Sequence, residues 1–261
     1  MRSHLQTFGA LIMAGGSGKR MGTLTRNIPK PLLTVGNHTI LDYLLGSFER
    51  HGILQENIVV VAKYLADQIH SHLSNTGVRV CTGKHSEIVL NLLDALPYLP
   101  GDFIATGCDL LSLDLLKEAT DIHFQSGAST TVVICKLPDD VPRSKYWLYT
   151  IEEGLLKGLE KGERVTDIER DILVLKKSAV DEVAERIKSL INGRSPEYET
   201  YKKYSTWNLL LKVFLEQGFM IRISEKETCR CHRINLPQDL AAAESKVAQW
   251  GLIPLLRTKA A

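Results

Sequence analysis

Between Phe8 and Leu33 the chain reads FGALIMAGGSGKRMGTLTRNIPKPLL. The apolar run Ala10 to Met13 has the length of a buried strand, and after Ala14 it breaks into Gly15-Gly16-Ser17-Gly18. Lys19 and Arg20 follow at once, and Lys30 comes later between Pro29 and Pro31. Glycines let the backbone turn tightly and bring its N–H groups close to an anion, and nearby basic side chains supply the countercharge. The stretch therefore predicts a loop, Ala14 to Arg20 with Lys30, that holds the phosphates of a nucleotide. A bare Gly-Gly-x-Gly serves equally well as a plain turn. The pattern is neither the Walker sequence nor the dinucleotide G-x-G-x-x-G fingerprint.

Outward from this loop, helical and strand periodicities alternate. Ile40 to His51 carries Ile40, Leu41, Leu44, Leu45 and Phe48 at amphipathic-helix spacing, while Asn57 to Ala62 is a β-branched run suited to a strand covered on both faces. Tyr64 to Leu73 reads as a helix, Val78 to Cys81 as a strand, Ser86 to Leu96 as a helix and Phe103 to Thr106 as a fourth strand. Such alternation predicts right-handed βαβ units and a parallel sheet with its ligand at the carboxyl ends of the strands. The glycine loop and Asp109 both lie at such ends. Further on come a helix from Leu111 to Gln125, a strand from Thr130 to Lys136, and an antiparallel meander formed by Tyr146 to Ile151, Leu155 to Glu160 and Ile172 to Leu175. Ser178 to Ile191 reads as a helix with Ser178 as its N-cap, Asn192 to Lys203 as a loop and Trp207 to Glu216 as a helix. Phe219 to Ile223 and Cys229 to Ile234 are strand candidates, and Pro237 starts a last helix that runs to Trp250. The fold class expected is α/β: a Rossmann-like mixed, mainly parallel sheet flanked by helices, with a small antiparallel sub-region. One domain spans 1–261, with a core at 7–140 and 205–250 and a substrate-side sub-region at about 141–204.

With 261 residues and 44% hydrophobic content the chain can bury a full core. A formal net charge of +2 argues against nucleic-acid binding driven by bulk charge. No apolar run approaches the roughly 20 residues that span a bilayer, and a signal peptide is rejected because its cleavage would remove the glycine loop. The cysteines number five, and Cys81, Cys108 and Cys135 sit in apolar strand-like runs, as reduced core thiols of a cytoplasmic protein do. Cys229-Arg230-Cys231-His232 does not have a usual zinc spacing.

Gly15, Gly16, Gly18, Arg20, Pro29, Lys30, Pro31 and Leu32 together resemble the signature of the nucleotidylyltransferases that activate sugar 1-phosphates, G-G-x-G-x-R followed by P-K-P-L. The resemblance implies the nucleotide-diphospho-sugar transferase fold. It also implies transfer of a nucleoside monophosphate from a nucleoside triphosphate to a sugar 1-phosphate, with release of pyrophosphate. Asp109 and Asn235, the latter in Ile234-Asn235-Leu236-Pro237-Gln238-Asp239-Leu240, match the pair that holds Mg2+ in that family. Taken alone, each has an ordinary reading beside a helix start. Glu160 and Lys161 match the family's Glu-Lys-Pro segment, whose lysine meets the acceptor phosphate, with Gly162 in place of proline. On the same resemblance Arg20 holds the β- and γ-phosphates, and Lys30 neutralises charge at the α-phosphorus. Arg20, Lys30 and Asp109 are thus the catalytic candidates. The chain departs from the family's G-T-A turn at Lys84-His85-Ser86-Glu87-Ile88, so the base is left unassigned.

Two further resemblances stand beside this one. The Asn-x-Pro-x-Asp-Leu ending also suits transferases that attach a nucleotide to molybdopterin or to a phosphorylated alcohol or choline. Gly18 to Val35 with Cys108-Asp109-Leu110 is similar to non-catalytic regulatory subunits of the eukaryotic translation-initiation exchange factor, which keep the fold as a scaffold. The apolar segment Trp250 to Leu256 suits packing either on the core or on a second copy in a homo-oligomer.

Overall fold

The computed structural model describes residues 7–112, 115–136, 147–161, 168–191, 195–201, 206–226 and 231–255. β1 (Gly9–Ala14) is the apolar run before the glycines and is buried along almost its whole length. A two-stranded hairpin of β2 (Thr34–Val35) and β3 (His38–Thr39) leads into α1 (Ile40–Arg50). Thr39 closes the start of that helix with a capping box: its Oγ1 accepts the Asp42 N–H and its N–H donates to the Asp42 carboxylate, both at 3.1 Å. Then come β4 (Ile58–Ala62), α2 (Ala66–Leu73), β5 (Arg79–Thr82), α3 (Ile88–Ala95), β6 (Phe103–Gly107) and β7 (Leu110–Ser112).

The second half contains α4 (Leu115–Ser126), β8 (Thr130–Lys136), β9 (Trp147–Glu152), β10 (Leu155–Lys161), β11 (Ile168–Leu175) and α5 (Lys177–Ile191). A one-turn α6 (Tyr198–Tyr201), α7 (Thr206–Glu216), β12 (Ile221–Lys226), β13 (Cys231–Arg233) and α8 (Pro237–Trp250) complete it. The main sheet has nine strands in the order β5-β4-β1-β6-β11-β8-β12-β10-β9. β4, β5 and β6 join β1 in parallel, β12 runs parallel to β8, and only β11 and β10 point the other way. The sheet is therefore mixed and mainly parallel.

Alternation along β1 and β4 divides the core. Leu11 and Val59 face a cluster with α3, α5 and α7, whereas Ala10, Ile12, Ile58 and Val60 face α1, α2 and α4. Both faces are covered, as the near-continuous apolar runs require. Each large side chain removed from water adds about 1.5–3 kcal/mol.

Four elements differ from the sequence reading, the first being the one-turn α6 inside the expected loop 192–203. Leu110 to Ser112 is a strand rather than part of the following helix, and it pairs antiparallel with β13. β11 begins at Ile168, ahead of Ile172, and lies inside the main sheet between β6 and β8: β8 pairs with it from Ile168, with an irregularity between Arg170 and Ile172, and β6 joins only at Leu173 to Leu175. α5 starts at Lys177, whose N–H donates to Asp102 Oδ1 at 2.9 Å, so a carboxylate from elsewhere caps the helix and Ser178 falls inside its first turn.

After α8 the chain runs back over α1. Leu252 and Leu255 are buried, and the Leu255 N–H donates to the Asp42 carbonyl at 2.7 Å. Ile253 crosses Gly46 so closely that a Cβ there would lie 2.2 Å from the Ile253 carbonyl oxygen. Of the two expected settings for the C-terminal apolar segment, the described part packs on the core.

Candidate active site

The loop after β1 is shaped by its glycines. Gly18 has φ +63°, and its carbonyl accepts from the Met21 N–H at 2.8 Å and from Thr25 Oγ1 at 3.0 Å. A Cβ at Gly18 would lie 2.9 Å from the Thr25 methyl, so a side chain is refused both by conformation and by space. Around Gly16, by contrast, a Cβ would meet nothing within 4 Å, which leaves the backbone open to a ligand.

Lys19 to Thr25 and Lys30 to Leu32 form short 3-10 turns, and Pro29 and Pro31 hold the second turn rigid. Lys30 is thereby pointed inward and is only 8% exposed. Its Nζ lies 2.9 Å from Asp109 Oδ2 and 3.1 Å from Asn235 Oδ1. Arg20 Nη2 donates to the same Asn235 oxygen at 2.8 Å. Arg20, Lys30, Asp109 and Asn235 therefore meet in one place, beside a cavity of about 460 Å³ that Gly16, Ser17 and Gly18 also line.

The β7–β13 ladder brings Asp109 and Asn235 together. Leu110 pairs with Arg233, and the next rung is the Ile234 N–H donating to the Asp109 carbonyl at 2.9 Å. Asp239, in the first turn of α8, then accepts the N–H groups of Asn235 and Leu236 at 2.8 Å each and fixes the turn on which Asn235 sits. On the other side, Gly107 lets the Asp109 carboxylate fold back: a Cβ there would be 2.8 Å from Oδ1. Gly107 and Asp239 support this arrangement, and the sequence reading assigned them no role, although an acidic residue in a first helical turn is a capping signal.

Burial pushes the Asp109 carboxyl upward, but the cations of Arg233 and Lys30 outweigh it and hold the group below its ordinary range. The adjoining Cys108 is buried and reduced. Burial first, and the Asp109 charge second, push its thiol up to about 12, which leaves a neutral group beside the cavity rather than a nucleophile. Among the described residues no group of three or more His, Cys, Asp or Glu gathers as a metal cluster. Two hard oxygens nevertheless converge on one cationic group, the Lys30 ammonium. A carboxylate and an amide oxygen suit a small divalent cation that takes its other ligands from water and substrate phosphates.

Glu160 and Lys161 end β10 opposite Leu148 and Trp147 in the backbone ladder, and the expectation for their side chains lies outside the described residues. Cys229 and Arg230 of the Cys-x-Cys-His segment lie outside them too. No helix among the described residues is long and apolar enough to cross a membrane.

The family model described as nucleotidyl transferase matches residues 9–169. A UTP–glucose-1-phosphate uridylyltransferase of Synechocystis is 24% identical over 196 residues, which cover 66% of this chain and 50% of that protein. The chain thus spans about half the length of this curated relative, and 40% of a glucose-1-phosphate adenylyltransferase of Bacillus thuringiensis that is 26% identical over 156 residues. Among solved structures, the inositol-1-phosphate CTP transferase from T. maritima superposes with a TM-score of 0.70 at 15% identity, over 94% of this chain and 96% of that one. The CTP:phosphocholine cytidylyltransferase from Streptococcus pneumoniae does so with a TM-score of 0.67 at 18% identity, over 92% and 98%. These two likenesses speak to the fold.

Proposed function

The chain belongs to the nucleotidyl transferase family, and from this we propose that it transfers a nucleoside monophosphate from a nucleoside triphosphate to a sugar 1-phosphate or a similar phosphorylated acceptor. The observation that carries the reading is the meeting of Arg20, Lys30, Asp109 and Asn235 beside the open Gly16 backbone. This juxtaposition provides cations for a triphosphate and two oxygens for a metal ion, and it provides no nucleophile of the protein's own.

An oxygen of the acceptor phosphate attacks the α-phosphorus in line. The new O–P bond forms as the bond from the α-phosphorus to the bridging oxygen breaks, and pyrophosphate leaves with that electron pair. The protein acts by positioning and by meeting developing charge. Arg20, with its planar fork, holds the β- and γ-phosphates, and Lys30 neutralises charge around the α-phosphorus. Asp109 and Asn235 would hold Mg2+, which supplies charge neutralisation on the leaving pyrophosphate when bound. Lys161, with Glu160 before it, is assigned to the acceptor phosphate.

The test is a pyrophosphate-release assay with ATP, GTP, CTP and UTP against glucose 1-phosphate, inositol 1-phosphate and phosphocholine. Release that depends on both a nucleotide and an acceptor, and that drops on the order of a hundredfold in Arg20→Ala and Asp109→Ala, is expected. Neither release nor a nucleotide-dependent rise in melting temperature would favour the scaffold reading.

A further inference from the structure

Beside the phosphate cavity lies a larger chamber of about 780 Å³, which shares Gly16, Ser17, Lys19 and Ile88 with it. His85 and Ser86 form part of its wall and belong to the irregular loop 83–87 between β5 and α3. Ile88, 46% exposed at the same wall, offers an apolar surface of the kind a nucleobase packs against.

Asn91 fixes this loop. It is 6% exposed, near the start of α3, and its Oδ1 accepts the His85 N–H at 3.0 Å. Its Nδ2 donates to the His85 carbonyl at 2.9 Å and to the Glu87 carbonyl at 3.3 Å. A carboxamide presents an acceptor and two donor hydrogens side by side, so Asn91 engages His85 as a neighbouring strand would. Lys63 Nζ donates to the same His85 carbonyl at 2.9 Å. Gly83 passes so close that a Cβ there would lie 3.1 Å from Asn91 Oδ1.

We propose that Asn91 is a positioning residue for nucleotide selection: by tying down loop 83–87 it shapes the wall against which the nucleoside half of the substrate is read. The inference rests on the nucleotidyltransferase reading. Although Asn91 borders the chamber, both donors of its amide are taken up by the His85 and Glu87 carbonyls, so it acts through these two residues and Ser86 between them. Arg20, Lys30, Asp109 and Asn235 line the neighbouring cavity, so the effect falls on nucleotide affinity and discrimination while the chemical step is spared.

The wild-type protein is first assayed for pyrophosphate release with the four nucleoside triphosphates. Asn91→Leu, close in volume but without the amide, is expected to raise KM for the preferred nucleotide about tenfold. It narrows the preference among bases, keeps kcat and the acceptor KM within about threefold, and speeds deuterium exchange at the His85 amide. Asn91→Asp, which keeps the acceptor and loses both donors, shares the defect. Lys63→Met, which removes the second donor to the His85 carbonyl from the same chamber wall, gives a smaller rise in the same direction together with faster exchange at His85. Unchanged nucleotide KM and base preference despite faster exchange at His85 would overturn the inference, as would an equal shift in kcat or acceptor KM. If Asn91→Leu does not fold, the other two variants decide by the same readings. Wild-type protein that releases pyrophosphate from no nucleotide sinks the nucleotidyltransferase reading itself, and the inference with it.

Discussion

Lys30 Nζ lies 2.9 Å from Asp109 Oδ2, in an ion pair between side chains that are 11% and 17% exposed. A cation so far from water needs a counter-ion, and removing one partner leaves the other buried and uncompensated. Lys30→Met and Asp109→Asn should each abolish most turnover, and the double variant should be less unstable than the sum of the singles. A double-mutant cycle from urea unfolding should give a coupling of about 0.5–3 kcal/mol. Strict additivity would mean that the pair contributes nothing to the fold.

Arg20 differs from Lys30 in being exposed, so its replacement should hardly alter stability. Arg20→Lys keeps the charge but loses the planar fork that fits phosphate oxygens. It should recover only a small part of the activity lost in Arg20→Ala, read as kcat/KM for the nucleotide. Full recovery would reduce the role of Arg20 to simple charge.

Gly107 has no conformational need for glycine, since its φ is not positive, so the prediction at this position is purely steric. In Gly107→Ala the new methyl meets Asp109 Oδ1 at 2.8 Å and must push the carboxylate aside. Turnover should fall about tenfold or more, since small misplacements of catalytic groups are costly, while the thermal unfolding curve keeps its shape. Wild-type turnover would show that Asp109 does not need its present orientation.

The acid limb of stability should trace in part to Asp42. Burial pushes its carboxyl up, but hydrogen bonds from His72, at 2.8 Å, and Thr39 outweigh this, so the folded value lies below the ordinary one. A lowered carboxylate contributes stability that is fully present above its unfolded value, about 3.9, and is lost as pH falls through the folded value. Urea midpoints of His72→Leu should fall short of wild type near neutrality and converge with it in strong acid. A constant offset across that range would assign the loss to packing alone.

Gly46→Ala should detach the tail from α1, because the added Cβ would overlap the Ile253 carbonyl at 2.2 Å. Overpacking of this kind costs typically 1–3 kcal/mol, measured by urea unfolding. An unchanged midpoint would mean that residues 252–255 can leave without consequence.

The local rules made the first half of this fold legible. β1 and β4 are continuous apolar runs, the glycine loop announces itself, and Lys30 stands out between prolines. The site was legible as separate residues but not as an assembly. Leu110 to Ser112 has nothing in its own sequence to mark it as a strand, since its pairing partner is β13 near the other end of the chain. Pairing with β8 likewise carries β11 through the charged Glu169 and Arg170, which local pattern reads as loop. Asn91 is an ordinary helix residue in the sequence, and only the folded path of loop 83–87 gives its amide a purpose.

The β7–β13 ladder also sets a schedule. A ribosome that has delivered everything through β12 has supplied every strand of the main sheet and the whole glycine loop, yet Asn235 has still to emerge and face Asp109. Assembly of the candidate metal-holding pair thus waits until every strand of the main sheet has been supplied. A chain halted before β13 would carry the glycine loop and Asp109 but lack the second oxygen of the proposed metal site.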